Sequence, residues 1–268
     1  MDSPTPVFDA HLHIIDPKHP LVENNGYLPD PFTVEDYLMR VGGLGIAGGL
    51  GIAGGLGIAG GAVVSGSFQG FDQCFLIDAL STLGPDFVGV TQLPADTSDD
   101  RILELDRNGV RALRFNVARG GSSALDDLDH MARRVHDLAG WHSELYIDAR
   151  TIDEDLGHRI AGLPAVSIDH FGMHSDGLPA LLKLVERGVK VKATGFGRIE
   201  LDPATAMRAI VDVDPSALMV GTDLPSTRAP RPFEDSDFDI IRDTLSPEEL
   251  TAVCWDNAAT FYLGRERG

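Results

Sequence analysis

The chain has 268 residues, 43% of them hydrophobic, and a formal net charge of −19. This length and apolar content are sufficient for a single large globular domain, and the composition is not typical of a disordered protein. Only four lysines are present, and so acidic a protein is repelled by a phosphate backbone. The composition therefore argues against a nucleic-acid partner.

The cysteines and the N-terminal residues both favour a cytoplasmic location. Cys74 and Cys254 lie far apart and lack the spacing of a metal site or a disulfide framework, which suits a reducing compartment. Residues 1–6 are polar and rich in proline, so they do not resemble a signal peptide. We therefore expect a cytoplasmic protein.

The first predicted element is a strand at Val7–His13 that ends in two histidines. Because side chains alternate between the faces of a strand, His11 and His13 are predicted to point to one side, together with Asp9. Two parallel imidazoles can bind a metal, hold a water molecule or polarise a carbonyl group near neutral pH. A hydrogen-bonded pair that only closes the strand is an equally ordinary explanation, so this motif alone does not decide the function.

A glycine-rich repeat follows the first predicted helix. The hexapeptide Gly-Gly-Leu-Gly-Ile-Ala occurs three times at residues 42–59, and residues 41–64 carry no charge. Such a segment raises a membrane helix as an alternative, but each of its many glycines costs a helix about 0.8–1 kcal/mol relative to alanine. We therefore expect no membrane span. We interpret two of the three copies as a tandem duplication that lengthens the connection to the second strand, since long surface insertions add little loop-closure entropy.

Short segments rich in β-branched residues alternate with amphipathic segments along the whole chain. Strands are predicted at Val7–His13, Ala62–Ser65, Phe87–Gln92, Val110–Asn116, Glu144–Asp148, Ala165–His170, Val189–Thr194 and Ala217–Thr222. Helices are predicted at Phe71–Leu83, Asp99–Asn108, Ala124–Gly140, Ile152–Ile160, Pro179–Gly188, Pro203–Val211 and Ser246–Leu263. Eight alternating units predict an α/β fold, a (β/α)8 TIM barrel that forms one domain over residues 1–268. A doubly wound sheet is the alternative, but the first strand is not followed by the glycine-rich phosphate loop of that fold.

Polar residues follow the predicted ends of seven strands. They are His11 and His13, Ser65 and Ser67, Arg114, Asn116 and Arg119, Tyr146 and Asp148, Asp169 and His170, Thr194 and Arg198, and Thr222 and Asp223. Each has an ordinary structural explanation alone, such as a cap, a turn or a surface ion pair. In a TIM barrel, however, the C-terminal strand ends form one rim, and catalytic residues lie there. Their common position therefore predicts an active site.

Together these motifs resemble the amidohydrolase superfamily. The relevant motifs are His-x-His on the first strand, His170 on the sixth, Gly-Thr-Asp-Leu-Pro at 221–225 and Asn-Ala-Ala-Thr-Phe-Tyr at 257–262. Within it, the segments at 67–72, 110–116, 168–172 and 192–195 resemble the 2-pyrone-4,6-dicarboxylate lactonases and related sugar- and aromatic-pathway lactonases. The resemblance implies a TIM barrel that hydrolyses a cyclic ester without a metal.

The sequence leaves a metal site open as an alternative. The resemblance implies that metal-binding members carry a lysine or glutamate on the fourth strand or a histidine on the fifth. The polar residues on those strands here are Arg114, Asn116, Tyr146 and Asp148, and His142 is predicted at the wrong end of the fifth strand. A guanidinium has no lone pair for a cation. The residues that could still hold one zinc ion are His11, His13, Asp223 and His170. We favour a site without a metal or other cofactor.

Lactone hydrolysis requires a base for water and donors for the oxyanion. We expect Asp223 to be the general base. The residues expected to polarise the carbonyl group are His11, His13 and His170. The residues expected to bind a small anionic substrate are Arg114, Arg119, Arg198, Ser67 and Tyr146, because arginine pairs with carboxylates through two parallel hydrogen bonds.

One departure from the lactonase pattern limits the prediction of the substrate. The resemblance implies an arginine after the sixth-strand His-x-Gly motif, whereas Met173 and His174 stand there in this chain. A lactone with fewer or differently placed carboxylates therefore also fits the motifs. A zinc-dependent amidohydrolase or decarboxylase of the same fold is compatible with them too, and so is a non-catalytic barrel whose glycine-rich insert mediates association. The sequence does not determine the oligomeric state.

Overall fold

The computed structural model describes residues 6–43 and 57–264 and contains an eight-stranded parallel sheet in the order β1 to β8. The strands are β1 (Pro6–Leu12), β2 (Gly57–Val64), β3 (Phe87–Thr91), β4 (Val110–Phe115), β5 (His142–Leu145), β6 (Val166–Ile168), β7 (Lys190–Ala193) and β8 (Leu218–Val220). Main-chain hydrogen bonds just beyond the strands join the first to the last, from Asp223 to His11 (2.7 Å) and from His13 to Leu224 (2.8 Å). The predicted TIM barrel is thereby confirmed.

Helices follow the strands around the outside of the barrel. They are α1 (Val34–Gly43), α2 (Cys74–Leu83), α3 (Asp99–Arg107), α4 (Leu128–Ala139), α5 (Glu154–Ala161), α6 (Leu178–Val185), α7 (Pro203–Val213), α8 (Asp235–Thr244), α9 (Pro247–Thr251) and α10 (Asn257–Leu263). The sequence prediction missed α8, whose many aspartates are poor helix formers in a helix interior. A π-helical turn, Ala252–Asp256, joins α9 to α10 inside the single helix predicted there.

The second strand begins earlier than predicted. It starts at Gly57 rather than Ala62, and its first residues pair with Pro6 and Val7 of β1. The end of the repeat is therefore part of the barrel. At Gly60 a Cβ atom would lie 2.6 Å from the carbonyl oxygen of Asp86, so glycine is required for this close approach. The remainder of the repeat, at 44–56, lies outside the described residues, and no described helix has the length and hydropathy of a membrane span.

The first strand does not alternate strictly, which corrects the predicted position of Asp9. A register shift interrupts its pairing with β2 between Asp9 and Leu12. Phe8 and Ala10 pack in the inner cluster with residues of β8 and α10, whereas the Asp9 carboxylate accepts a hydrogen bond from Tyr37 of α1 at 2.9 Å. Asp9 therefore lies between the strand and α1, while the irregularity turns His11 back to the inside.

The C-terminal helix closes the N-terminal end of the barrel. Tyr262 stacks on Phe8 with ring centroids 5.2 Å apart, and Trp255 contacts the same ring edge-on at 6.2 Å. Asn257 donates a hydrogen bond to the carbonyl oxygen of Leu218 at 2.8 Å, which ties α10 to β8. Since this end is filled by side chains, the opposite rim is left for a ligand.

Candidate active site

Three histidines converge on Asp223 at the C-terminal rim. One carboxylate oxygen of Asp223, Oδ1, lies 3.5 Å from Nε2 of His13 and 3.7 Å from Nε2 of His11. The His170 ring is 5.0 Å from the His11 ring, centroid to centroid. All four side chains are buried. The structure thus brings together the four residues for which the sequence predicted catalytic roles.

The backbone around Asp223 is held by Asp9 and by close packing. The carboxylate of Asp9 accepts hydrogen bonds from the Thr222 amide (2.8 Å) and hydroxyl (2.7 Å). Asp223 itself has a positive φ of 57°. At Gly221 a Cβ atom would lie 2.6 Å from the amide nitrogen of His11, so only glycine allows the eighth strand to approach the first here. Asp9 therefore positions the site without entering it.

Arg198 pairs with the other oxygen of Asp223. Its guanidinium lies 2.6 Å from Oδ2 and also donates to the carbonyl oxygen of Thr227 at 2.9 Å. Burial raises the pKa of Asp223, but the positive charge of Arg198 opposes it more strongly, and the pKa lies well below its usual range. Asp223 is consequently ionised at every pH at which the protein is expected to act.

His11 and His170 are both neutral. Burial lowers the pKa of His11 to about 4, with Lys192 lowering it and Asp169 raising it. Burial also holds the pKa of His170 well below its usual value, although Asp223 raises it. The Nδ1 atom of His170 lies 2.6 Å from the Thr194 hydroxyl. Neutral imidazoles can each offer one N–H donor to a developing negative charge.

A buried ionic network beneath the histidines was not predicted from the sequence. Lys192 contacts Glu144 and lies 3.5 Å from Asp169 and 3.4 Å from Nδ1 of His11, and all four side chains are buried. Burial raises the pKa of Glu144, but Lys192 outweighs it and the pKa is about 2. The motif around Lys192 was the one feature of the sequence that pointed to this network. The network was missed because a charged residue in a strand ordinarily faces solvent.

Arg114 is largely committed to this network. It donates to Asp169 at 2.8 Å and to the carbonyl oxygen of Ser65 at 2.7 Å, and it lies 5.5 Å from the centre of the Tyr146 ring. Its remaining Nε atom has no hydrogen-bond partner among the described residues. Arg114 therefore presents one edge to the pocket and uses the other to hold the barrel interior together.

The predicted binding residues line one narrow pocket above the histidines. The residues that line it are His13, Gly66, Ser67, Phe68, Arg114, Asn116, Arg119, Tyr146, His170, Arg198, Thr227 and Arg228. Arg228 was missed, because it lies in the long loop after β8 rather than at a strand end. Asp148 and His142, in contrast, face away. Asp148 pairs with Arg150 at 2.6 Å, and His142 contacts Phe261 of α10 at 4.1 Å.

The potential metal ligands of the site are of the types that suit zinc, but their carboxylates already have cationic partners. Donor atoms of His11, His170 and Asp223 lie within 4.8 Å of one another, and these ligand types suit zinc. Asp223, however, is already paired with Arg198, and the Lys192 ammonium lies among the second group of potential ligands, His11, Glu144 and Asp169. Because each of these carboxylates already has a cationic partner, the charge balance does not fit a divalent ion.

The chain matches a known protein family over most of its length. The amidohydrolase family profile matches residues 8–263. The 2-pyrone-4,6-dicarboxylate hydrolase of Comamonas testosteroni is 29% identical over 175 residues, which are 63% of this chain and 52% of that protein. The match therefore spans about half the length of this curated relative.

Solved structures share the fold over nearly the whole chain. A probable 2-pyrone-4,6-dicarboxylic acid hydrolase from Acinetobacter baumannii, with citric acid bound, is 19% identical with a TM-score of 0.79 and covers 96% of this chain and 98% of that one. A second such hydrolase, from Pseudomonas putida and described as putative, is 23% identical with a TM-score of 0.75 and covers 97% and 98%. With the family profile spanning nearly all of the barrel, the chain belongs to the amidohydrolase family.

Proposed function

We propose that the protein hydrolyses a small anionic lactone at the pocket above His11, His13, His170 and Asp223. The observation that carries the proposal is a buried, ionised carboxylate that faces three imidazoles beneath a mouth lined by arginines. The name of the curated relative supports hydrolysis of a cyclic ester. The arginines provide the positive charge that an acidic substrate needs in a protein of net charge −19.

In the proposed mechanism, His13 and Asp223 hold the water. Nδ1 of His13 lies 2.7 Å from the carbonyl oxygen of Val64, which can only accept, so we assign the ring proton to Nδ1. In that tautomer Nε2 is an acceptor, and it lies 3.5 Å from Oδ1 of Asp223. One water molecule can donate to both atoms. We therefore assign His13 to the water rather than to the carbonyl group, and Asp223 takes the proton.

The other two histidines act on the carbonyl group. His11 and His170 are buried and neutral, so each can donate from its ring to the oxyanion that forms when water attacks. Such donors typically contribute about 3 kcal/mol each to transition-state stabilisation. The Lys192 ammonium and Oδ1 of Asp169 both lie 3.4 Å from Nδ1 of His11, and we assign Lys192 as the donor to this nitrogen, which places the ring proton on Nε2, the side that faces the pocket. The tetrahedral intermediate then collapses with cleavage of the bond between the carbonyl carbon and the ring oxygen, and the leaving oxygen takes the proton that Asp223 received from water.

The arginines bind the acidic group of the substrate. Arg198 lies beside Asp223 and can donate to a substrate carboxylate next to the reacting carbonyl. Ser67 and Tyr146 line the same wall and offer hydroxyl groups. We propose that no metal takes part, since the carboxylates of the site are already balanced by Arg198, Arg114 and Lys192. A zinc-dependent hydrolase remains the second candidate, because the ligand types are suitable.

A panel of lactones tested with and without a chelator distinguishes these candidates. The panel contains pyrone carboxylates, enol-lactones and sugar lactones, and the metal content of the purified protein is measured in parallel. We expect hydrolysis of at least one carboxylated lactone at a rate that a chelator leaves unchanged. Loss of activity on chelation, with recovery on adding zinc, would support the zinc enzyme. No turnover of any lactone would contradict the proposed function.

A further inference from the structure

Thr194, which directly follows β7, holds one nitrogen of the His170 ring. Its hydroxyl oxygen lies 2.6 Å from Nδ1 of His170, and both side chains are buried. Within residues 6–43 and 57–264, this nitrogen is the only hydrogen-bond partner of the hydroxyl. Thr194 is not among the residues that line the pocket, so a ligand there does not touch it. The hydroxyl group therefore acts on the ring of His170 alone.

The Thr194 hydroxyl is assigned as the donor of this hydrogen bond. A hydroxyl has one proton to donate, and the only acceptor that it contacts in the described part of the chain is Nδ1 of His170. A ring proton on Nδ1 would leave the hydroxyl proton buried without an acceptor, which is unfavourable. Since burial keeps the ring neutral, its single proton is then on Nε2. That nitrogen forms no hydrogen bond with the described residues, and the ring lines the pocket.

Close packing against two glycines fixes both partners of this hydrogen bond. At Gly195 a Cβ atom would lie 2.7 Å from Nδ1 of His170, so glycine leaves the space that the ring occupies. At Gly221 a Cβ atom would lie 2.7 Å from Cγ2 of Thr194, so the methyl group packs against the backbone just after β8. A β-branched side chain has few χ1 rotamers, and a methyl group held there leaves the hydroxyl directed at the ring. The hydrogen bond is therefore formed before any ligand binds.

The same segment of chain also holds the ring of His11. Lys192 lies two residues before Thr194, so both side chains face the inside of the barrel. The Lys192 ammonium lies 3.4 Å from Nδ1 of His11, the same ring nitrogen that Thr194 contacts in His170. Nε2 of His11 is buried without a hydrogen-bond partner among the described residues. The two rings, with centroids 5.0 Å apart, thus leave the same nitrogen free.

We infer that Thr194 is a positioning residue, whose hydroxyl fixes the ring proton of His170 on Nε2 and thereby makes His170 a donor to the oxyanion. The inference rests on the proposed function, because the oxyanion that forms during hydrolysis is what requires this donor. A donor that is already oriented needs no reorganisation in the transition state. Because the oxyanion is absent from the bound substrate, loss of the hydroxyl is expected to lower kcat rather than to raise KM.

Steady-state kinetics of three variants test the role of the hydroxyl. T194A and T194S both lack the methyl group of Thr194 and differ from each other only in the hydroxyl. T91A is the matched control, since Thr91 is a buried threonine at the end of β3 whose hydroxyl donates to the main-chain oxygen of Gln92 at 3.3 Å. With a lactone that the wild type hydrolyses, T194A is expected to lower kcat about tenfold, with KM within about threefold of the wild type. T194S should recover most of this loss, and T91A should match the wild type. A kcat of T194A equal to that of T194S would overturn the inference.

A double-mutant cycle separates positioning of the ring from a general effect on the barrel. A positioning residue acts only through the group that it holds, so T194A should change the residual kcat of H170A less than about twofold. If T194A instead lowers kcat about tenfold in the H170A background as well, its effect does not pass through the ring, and the inference is wrong.

The tautomer of His170 is measured directly by NMR, without turnover. Long-range ¹H–¹⁵N correlation spectra at pH 7 give the shifts of both ring nitrogens, and H170A identifies the signals of this histidine. In the wild type and T194S we expect a protonated Nε2 and an unprotonated Nδ1 that accepts a hydrogen bond. In T194A the shift of Nδ1 should move away from that of a hydrogen-bonded acceptor. A protonated Nδ1 in the neutral ring of the wild type would overturn the inference.

The two measurements distinguish this inference from the proposed function. If the spectra show the expected tautomer and its dependence on the hydroxyl, but no lactone is hydrolysed, the role of Thr194 in fixing the ring stands and the lactonase function is wrong. If lactones are hydrolysed and T194A matches T194S in kcat, the function stands and Thr194 is not a positioning residue.

Discussion

The Arg198 guanidinium lies 2.6 Å from Oδ2 of Asp223, on the side opposite the histidines. This contact orients the carboxylate so that its other oxygen faces His11 and His13. It also makes Asp223 a weak base while the pair is intact, because a nearby positive charge favours the ionised form. A substrate carboxylate that draws Arg198 toward itself would strengthen the base as the substrate binds.

Removing Arg198 is expected to change the pH dependence of the reaction. In R198Q the cation that lowers the pKa of Asp223 is lost, while burial, which raises that pKa, remains. Since Asp223 stays ionised throughout the working range of the wild type, R198Q is expected to introduce an acid limb into the kcat profile, and R198K should lie between R198Q and the wild type. Rates measured from pH 4 to 9 test this. A profile of R198Q without a new acid limb would separate Arg198 from the base.

Asp223 is expected to be indispensable for hydrolysis. D223N keeps the size of the side chain but cannot accept a proton, so kcat should fall by about 100-fold or more. D212N is the matched control, since Asp212 is an exposed residue of α7 that pairs with Arg208. Steady-state rates are compared after far-UV circular dichroism has established that both variants are folded. Activity of D223N within tenfold of the wild type would exclude Asp223 as the general base.

The buried Lys192 is expected to be essential for stability. K192M leaves the carboxylates of Glu144 and Asp169 buried without the ammonium that they share. Removing one partner of a buried ion pair lowers the free energy of unfolding by about 3–5 kcal/mol. The double variant K192M/E144Q removes one of the stranded charges and should recover part of that loss. Urea unfolding at pH 7 measures the free energy of unfolding of the single and the double variant. If the free energy of unfolding of K192M falls by less than about 1 kcal/mol, the network relaxes or is hydrated once the ammonium is removed.

His11 is expected to make the fold less stable in mild acid. Burial lowers the pKa of His11 to about 4 from 6.5, so between these values the unfolded chain binds a proton that the folded protein does not. The free energy of unfolding therefore falls as the pH decreases through this range, by about 2 kcal/mol from pH 7 to pH 5 for this residue alone.

The variant H11N isolates this contribution from other titrating groups. Asp9, whose pKa burial raises to about 6, acts in the opposite direction, because the folded protein then binds the extra proton. Urea unfolding of the wild type and H11N at pH 7 and pH 5 gives a double difference in which Asp9 and the remaining histidines cancel. A double difference near zero would mean that His11 is charged in the folded protein at pH 5.

The rim of the site was predictable because it depends on regular features of the chain. Alternating strands and helices indicate a parallel barrel, and the barrel places the residues after each strand at one end, as found for His170 and Asp223. The position of Asp9 was not predictable in the same way. It depends on a register shift in β1, and the sequence of that strand carries no signal for the shift.

The sequence by itself determined the fold class and the rim residues, and it indicated an acidic substrate, because periodicity and residue chemistry are local properties. Tertiary structure alone decided which charges neutralise one another. It placed Lys192 among Glu144, Asp169 and His11, committed Arg114 to the interior, and left Arg228 beside Arg119. Pairing of charges depends on distances of a few ångströms between distant segments, and burial then sets their pKa values.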